Sequence, residues 1–332
     1  ILAFLRVGGC GGCLYLDLGR QDWSLAAIGP DGWELAYEAP IKAVRRPNMQ
    51  PLPVPERGPP LEATLQPLLN VRSERDYRLI IAWLLCAFRD TGEYPILSIS
   101  GEQGAAKSTT TRMIRRLIDP DKATNRAAPQ NERDLVVAAH NARVISLDNL
   151  SGLSPWLSDA LCRISTGGGF STRALHTYMD DVVEHLENPI ILNGIPEIAG
   201  RPDLTDRSYT IHLPAIMEQN RRTASDFWSE FENNHAVMLG ALLDAVSSAL
   251  RNLPNVRLPS KPRMANAAEW VTAAEAAFGW EAGTHISDLQ SNRRDSNEAS
   301  LECEPVAMAI VELDLPWIGT PTQLHMKLSA RP

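Results

Sequence analysis

The stretch with the clearest chemistry is Gly101–Thr109, which follows the apolar run Tyr94–Ser100 and precedes Thr110–Leu117, where apolar residues recur at helical spacing. A buried strand, a glycine-rich turn, Lys-Ser and a helix are the context of a phosphate-binding loop. Backbone N–H groups of the turn and of the helix N-terminus surround a phosphate chain in such loops, so nucleotide binding is predicted. The loop residues are Gly101, Glu102, Gln103, Gly104, Ala105, Ala106, Lys107, Ser108 and Thr109.

Two side chains of this loop have separate predicted roles. Lys107 would reach the β- and γ-phosphates of ATP, and the Ser108 hydroxyl would bind Mg²⁺. Ala106 departs from the usual pattern, which has glycine directly before the lysine. A methyl group is tolerated there if the local φ is negative, and Gly101 and Gly104 keep the turn open. A chance glycine-rich connection between strand and helix is the alternative.

A second buried strand is predicted over Arg143–Asn149. If it is parallel to the first, Asp148 at its end faces the phosphate loop and holds Mg²⁺ through water, which is the Walker B arrangement. Asn149 stands where an NTPase of this type normally has an acidic residue, and an amide can orient water but cannot accept its proton. Either another carboxylate serves, with Asp159 a candidate by position, or hydrolysis is slow, or Asn149 is a simple turn residue.

Three glycines at 167–169 followed by Phe-Ser-Thr-Arg predict a mobile hairpin that presents Phe170, Arg173 and His176. Aromatic and basic side chains at a loop tip suit a single nucleic-acid strand, through base stacking and phosphate contact. The alternative is a flexible loop in which Arg173 pairs with Asp180 or Asp181.

Two later residues complete the candidates. Asn193 ends a third apolar run and places an amide at the carboxyl end of a buried strand, although Asn-Gly alone is also an ordinary turn signal. Arg207 precedes a further strand and could offer a planar cation to the γ-phosphate of a neighbouring subunit. A structural salt bridge of Arg207 with Asp203 or Asp206 is the alternative.

Composition narrows the class of protein. With 332 residues, 44% hydrophobic and 22% charged, the chain is typical of a globular protein of two or three domains. A net charge of -8 excludes a generally basic surface, so any DNA contact comes from a local feature or from a loop repeated around an oligomer.

No apolar run approaches the length of a membrane helix, no signal peptide is visible, and the scattered cysteines favour a reducing, cytoplasmic setting. Ile1 predicts a fragment or a processed product, and Cys10-Gly-Gly-Cys13 favours a tight turn over a zinc site.

The predicted elements divide the chain into five parts. Residues 1–46 predict a small β module that is incomplete at its N-terminus, and six prolines in 47–60 predict an extended linker. An α/β unit at 61–215 contains every motif above. Residues 216–300 predict a helical domain, and 301–332 resemble the start of a winged-helix module.

The order of these motifs resembles a known family, over residues 72–215. It is similar to the superfamily 3 helicase core of viral, phage and plasmid primase-helicases, a variant of the AAA+ fold, and to ATP-binding proteins of bacterial mobile elements. The segments that carry the resemblance are Gly101–Thr109, Val144–Asn149, Leu161–Arg173, Ile190–Asn193 and Asp203–Arg207.

The resemblance implies an α/β fold with a P-loop AAA+-type, superfamily 3-like parallel-sheet core. It implies ATP and Mg²⁺ as cofactors and a hexameric ring with ATP at subunit interfaces. Single-stranded or forked DNA is the implied partner, with replication proteins as further partners and no membrane. By the same match, residues 167–176 fall on the hairpin that lines the channel and contacts DNA. Lys107 and Ser108 would bind phosphate and Mg²⁺, and Asp148 would be the Walker B carboxylate. Asn193 would be the sensor of the γ-phosphate, and Arg207 the arginine finger.

The leading hypothesis is therefore an ATP-dependent DNA translocase or helicase that acts in replication of a mobile genetic element. An AAA+ loader or remodelling ATPase that uses ATP as a switch is the alternative, and Asn149 favours it. A small-molecule kinase and a non-enzymatic nucleotide-binding scaffold are further alternatives, and Asn193 and Arg207 argue against the kinase.

Overall fold

The structure, a computed structural model, describes residues 3–123, 126–173, 181–194, 201–302, 309–310 and 317–329. Within these residues, antiparallel strands come first in the chain, a parallel sheet with helices follows, and the remaining chain is helical. The predicted mixed α/β fold with a parallel sheet is confirmed.

The N-terminal residues form six short strands, of which the second to the fifth make an antiparallel sheet in chain order and the first pairs with the sixth. They are β1 (Ala3–Phe4), β2 (Val7–Cys10), β3 (Cys13–Asp17), β4 (Leu25–Gly29), β5 (Gly32–Ala36) and β6 (Lys42–Ala43). Gly11 and Gly12 both have positive φ, as a two-residue hairpin turn between β2 and β3 requires. Cys10 and Cys13 therefore flank a tight turn, as predicted.

Four parallel strands in the order β12-β7-β11-β8 form the central sheet. Because parallel strands end at the same edge of a sheet, residues that follow β7, β8 and β11 come together there. The elements of this region are α1 (Leu61–Leu65), α2 (Glu74–Ala87), β7 (Ile96–Gly101), α3 (Lys107–Arg116), α4 (Glu132–Asn141), β8 (Ile145–Leu150), α5 (Pro155–Ser165), the hairpin of β9 (Gly168–Arg173) and β10 (Asp181–Leu186), β11 (Ile190–Gly194), α6 (Pro202–Thr205) and β12 (Ser208–Leu213).

The C-terminal part contains α7 (Ala224–Asn252), α8 (Ala265–Ala274), α9 (Thr284–Glu302) and α10 (Pro321–Ser329). By length and composition α7 could cross a membrane, but a core helix passes the same test. Its apolar face is buried in a core shared with the N-terminal strands, α2 and β7. We therefore assign α7 to the interior of the protein. Of the segment predicted to begin a winged helix, 303–308, 311–316 and 330–332 lie outside the described residues.

The proline-rich stretch 47–60 runs over this core as extended chain. Leu52 is buried, and the Glu56 N–H donates to the Ala236 carbonyl of α7 (3.0 Å). A Cβ on Gly240 would lie 1.9 Å from the Glu56 carbonyl oxygen, so this close approach requires glycine. The stretch is therefore held against α7 at Glu56.

Buried charges join the N-terminal strands to the central sheet. Arg6 donates from Nε to Asp119 Oδ1 (3.3 Å) and from Nη2 to the carbonyls of Gln50 (2.8 Å) and Pro120 (3.2 Å). The other oxygen of Asp119 accepts the N–H of Val144 (3.0 Å), directly before β8. Burial lowers the pKa of the Arg6 guanidinium, and the nearby carboxylates oppose that shift.

Candidate nucleotide-binding site

The loop 101–109 connects β7 to α3, so the predicted strand, turn and helix are present. Gly101 and Gly104 have φ angles of 152° and 84°, which favour glycine. A Cβ on Gly101 would lie 2.5 Å from the Leu213 carbonyl oxygen of β12, so the strands and the loop leave no space for a side chain there. Since α3 begins at Lys107, the N–H groups of its first turn, which have no intrahelical acceptors, are available to an anion.

Ala106 has a φ of 61° and a ψ of 27°, which is the left-handed conformation. Alanine was expected to be tolerated at position 106 only with a negative φ, and the φ is positive. The Cβ of an L-residue in this conformation approaches the following carbonyl, which costs about 1–2 kcal/mol. The conformation of the loop therefore includes backbone strain at Ala106.

We expect Ala106→Gly to stabilise the protein by up to about 1 kcal/mol, because the relieved strain exceeds the added entropy of the unfolded chain. Urea unfolding of the parent and the variant measures the difference. Ala105→Gly is the matched control, since Ala105 is buried and has no positive φ, and it should destabilise. Equal destabilisation by both substitutions would contradict the prediction.

The residues predicted to bind phosphate and Mg²⁺ lie together. Ser108 Oγ donates to Asp148 Oδ1 (2.9 Å), so the first turn of α3 meets the end of β8. Lys107 Nζ folds back onto the loop and donates to the carbonyl oxygens of Gly101 (2.7 Å) and Glu102 (2.8 Å). A hydroxyl and a carboxylate side by side fit Mg²⁺, which takes oxygen ligands and uses few protein carboxylates beside phosphates.

Asn193, in β11, forms hydrogen bonds with both β8 and α3. Its Oδ1 accepts the Asn149 N–H (3.0 Å), and its Nδ2 donates to Thr111 Oγ1 of α3 (2.8 Å). Asn193 is 1% exposed, so contact of its second amide N–H with a γ-phosphate would require a local movement that uncovers it. Asn149 itself has a φ of 57°, a conformation that asparagine tolerates better than most residues, and it is exposed. Asn149 lies within β8 directly after Asp148, where the pairing of β8 with β11 is irregular.

A pocket of about 550 Å³ opens beside the loop. Ala106 and Thr109 form one wall, and Phe227 and Trp228 at the start of α7 form another. Asn70 also lines it, and its Nδ2 donates to the Pro214 carbonyl (2.7 Å). The size and the aromatic wall suit a nucleobase. No sequence pattern connects 67–70 with 214–228, so sequence analysis missed this pocket.

Sequence analysis also missed His212, a half-buried residue near the end of β12. Its Nδ1 lies 3.2 Å from Ser100 Oγ, directly before the loop. Burial is the main cause that lowers the pKa of His212, and the positive charge of Arg72 adds to it. The imidazole is therefore neutral at pH 7.

Arg207 lies at the opposite edge of the sheet from the loop. Its carbonyl accepts the Ile96 N–H at the start of β7, and the loop follows five residues later, about 16 Å along the strand. Its guanidinium pairs with Asp203, and Arg263 binds the same carboxylate (2.8 Å). The structure therefore contains the salt bridge that was the alternative for Arg207. Asp159, the candidate base, pairs with Arg201 (2.7 Å).

The predicted DNA-binding hairpin is present as β9 and β10, with Arg173 opposite Asp181 in the register. Phe170, however, is 1% exposed in an apolar cluster with Leu161 and Leu186, below the Arg163 guanidinium (4.4 Å). The prediction that Phe170 is presented at the tip was wrong, because this face of β9 packs on α5. The side chain of Arg173 and the whole of His176 lie outside the described residues.

The fold and the loop define a parallel-sheet α/β protein with a candidate site for phosphate. Residues 63–293, more than half of the chain, match the family of the actinomycete integrative conjugative element replication protein. The chain belongs to this family. No curated protein sequence matches it.

Solved structures show weaker similarity. The C-terminal region of NrS-1, in its apo form, is 10% identical with a TM-score of 0.45, over 93% of this chain and 81% of that one. The JCV helicase, solved with a bound small molecule, is 10% identical with a TM-score of 0.33, over 77% and 66% of the two chains. Similarities at this level add nothing to the assignment of a function.

Proposed function

We propose that this replication protein is an ATP-dependent DNA translocase or helicase, with a superfamily 3-like AAA+ ATPase unit at residues 61–215. The observation that carries the proposal is the contact between Ser108 Oγ and Asp148 Oδ1. Forty residues separate them in the sequence, yet the hydroxyl and the carboxylate that a nucleotide-bound Mg²⁺ needs lie 2.9 Å apart at the end of a glycine-rich loop. Membership of a replication protein family supports the same role, since replication requires separated strands.

ATP and Mg²⁺ are the proposed cofactors. The N–H groups of residues 101–109 and Lys107 would bind the phosphates, and the pocket beside Thr109 would take the base. Ser108 and, through water, Asp148 would hold Mg²⁺, which neutralises part of the phosphate charge when bound. Lys107 would exchange its two carbonyl acceptors for phosphate oxygens. Asn193 would hold the end of β8 and helix α3 in place through its two hydrogen bonds.

Arg207 is proposed to act on the ATP of a neighbouring subunit. Arg207 lies about 16 Å along β7 from the loop of its own chain, so its proposed partner is the site of a neighbouring subunit in a ring. The guanidinium would leave Asp203 for the γ-phosphate, and Arg263 would remain to neutralise that carboxylate. This arrangement supports a homo-oligomer, which we propose is a hexameric ring.

The β9–β10 hairpin is the proposed DNA contact. Arg173 and His176 would bind the phosphates of single-stranded or forked DNA, and Phe170 would anchor the base of the hairpin in the core. Six copies around a channel would give a local positive potential in a protein whose net charge is -8.

ATP hydrolysis with and without single-stranded DNA tests the proposal. DNA should raise hydrolysis several-fold in the parent, and Arg173→Ala should keep basal hydrolysis but lose the stimulation. Arg133→Ala, an exposed arginine on α4, is the control and should behave as the parent. Hydrolysis that is indifferent to DNA would contradict a translocase.

A nucleotide switch that loads or remodels other replication proteins is the second candidate. Asn149 favours it, because the residue after Asp148 is an amide with a left-handed backbone conformation and cannot accept a proton from water. The same assay separates the two proposals, since a switch binds ATP with little turnover.

A further inference from the structure

One arginine beyond those assigned above lies over the loop 101–109. Arg221 follows a 3₁₀ turn at Glu218–Asn220 and lies three residues before α7, which begins at Ala224. A Cβ placed on Gly104 would lie 3.9 Å from Arg221 Nη2, so the guanidinium is adjacent to the backbone of the loop. Sequence analysis could not predict this contact, because more than a hundred residues separate Gly104 from Arg221.

The charge of Arg221 is not balanced within the described part of the chain, where no carboxylate forms an ion pair with it. Its neighbour Arg222 differs, because it pairs with Glu230. Arg221 is also exposed, and its backbone N–H already donates to the Glu218 carbonyl (3.2 Å), which fixes the turn that carries it. A guanidinium held beside a loop of N–H donors has the requirements of an anion contact.

We propose that Arg221 binds the β- or γ-phosphate of a nucleotide held by the same subunit, an inference that rests on the proposed ATP site. The pocket beside Thr109 would receive the base, and Arg221 lies beside Gly104 of the loop that would bind the phosphates. A guanidinium can bind two phosphate oxygens at once, which complements the single point charge of Lys107. Asn220 and Arg222, on both sides of Arg221, line the pocket, so the segment that leads into α7 would contact both the base and the phosphates of a bound nucleotide.

Binding of a fluorescent ATP analogue (mant-ATP) to the full chain tests this assignment. Arg221→Ala should weaken binding about tenfold, a typical loss for one charge-assisted hydrogen bond, and Arg221→Lys should recover part of it. The dependence of affinity on salt should also become less steep in Arg221→Ala. Arg133→Ala should bind as the parent, and the melting temperature of each variant shows whether it is folded.

Competition with AMP distinguishes a phosphate contact from a structural role. AMP lacks the outer phosphates, so Arg221→Ala should bind it as tightly as the parent does. Equal losses for AMP and ATP, or unchanged ATP affinity, would overturn the assignment while leaving the ATP site intact. If the parent itself fails to bind mant-ATP, the proposed function fails and the role of Arg221 fails with it.

Discussion

Replacing Lys107 with alanine should lower ATP hydrolysis by at least about 100-fold, because the loop loses the ammonium group that stabilises charge on the outer phosphates. In the structure this group donates to the carbonyl oxygens of Gly101 and Glu102, so it already lies at the mouth of the loop. Phosphate release from saturating Mg-ATP measures the effect, with and without single-stranded DNA.

Lys122→Ala is the matched control, since Lys122 is an exposed lysine in a surface connection, and it should leave the rate unchanged. Because Lys107 also ties the ends of the loop together, thermal unfolding of the Lys107→Ala variant shows whether its fold is intact. Hydrolysis at the parental rate by a folded Lys107→Ala protein would exclude the loop 101–109 as the catalytic site.

The elements of the site could be predicted because their signals are local. An apolar run, two glycines and Lys-Ser fix a strand, a turn and a helix over about twenty residues, and the structure has all three. The contact of Ser108 with Asp148 also follows from sequence, given one assumption, that the two strands are parallel and end at the same edge.

Side-chain environment was harder to predict, because it depends on residues distant in the chain. Phe170 stands in a stretch whose glycines and polar residues predict an exposed tip, yet α5 covers it. Asn193 has both polar groups bound to residues 44 and 82 positions away, which no spacing rule anticipates. The left-handed backbone of Ala106 likewise comes from the path that the loop must follow, against the preference of alanine.

Long-range packing holds part of the proline-rich stretch against the rest of the protein. Composition predicts an extended linker over 47–60, since proline excludes helix. It does not predict that Glu56 lies against Gly240, which is a property of α7 packing. The N-terminal strands, the parallel sheet and α7 share one core, so we expect a change at the first strands to affect the proposed site.

Asp119→Ala tests that connection and should destabilise the protein by about 3 kcal/mol. Arg6 is 2% exposed and Arg115 is 1% exposed, and both lie against Asp119, at 3.3 Å and 3.9 Å. Removing the carboxylate leaves the charge of Arg6 buried without its ion-pair partner, while Arg115 keeps Asp121 at 3.4 Å. Urea unfolding measures the loss of free energy.

The control is Asp295→Ala, which breaks a shorter ion pair with Arg75 (2.7 Å) at a carboxylate that is 54% exposed. Since exposed pairs contribute less than about 1 kcal/mol, the control should lose much less stability than Asp119→Ala, which removes a buried carboxylate with several partners. The double variant Arg6→Met with Asp119→Leu should be more stable than Asp119→Ala, because it removes the unpaired charge and fills the space. A loss below about 1 kcal/mol in Asp119→Ala would show that the buried charges do not hold the two regions together.

Hydrogen exchange links this cluster to the proposed site. Asp119 Oδ2 accepts the N–H of Val144, four residues before Asp148, so Asp119→Ala should increase exchange at Val144 before the protein unfolds globally. If Asp148 depends on that anchor for its position beside Ser108, the affinity for Mg-ATP should fall in the same variant and remain unchanged in Asp295→Ala. The N-terminal strands would then stabilise the nucleotide site through one carboxylate, although none of their residues lines the pocket described beside it.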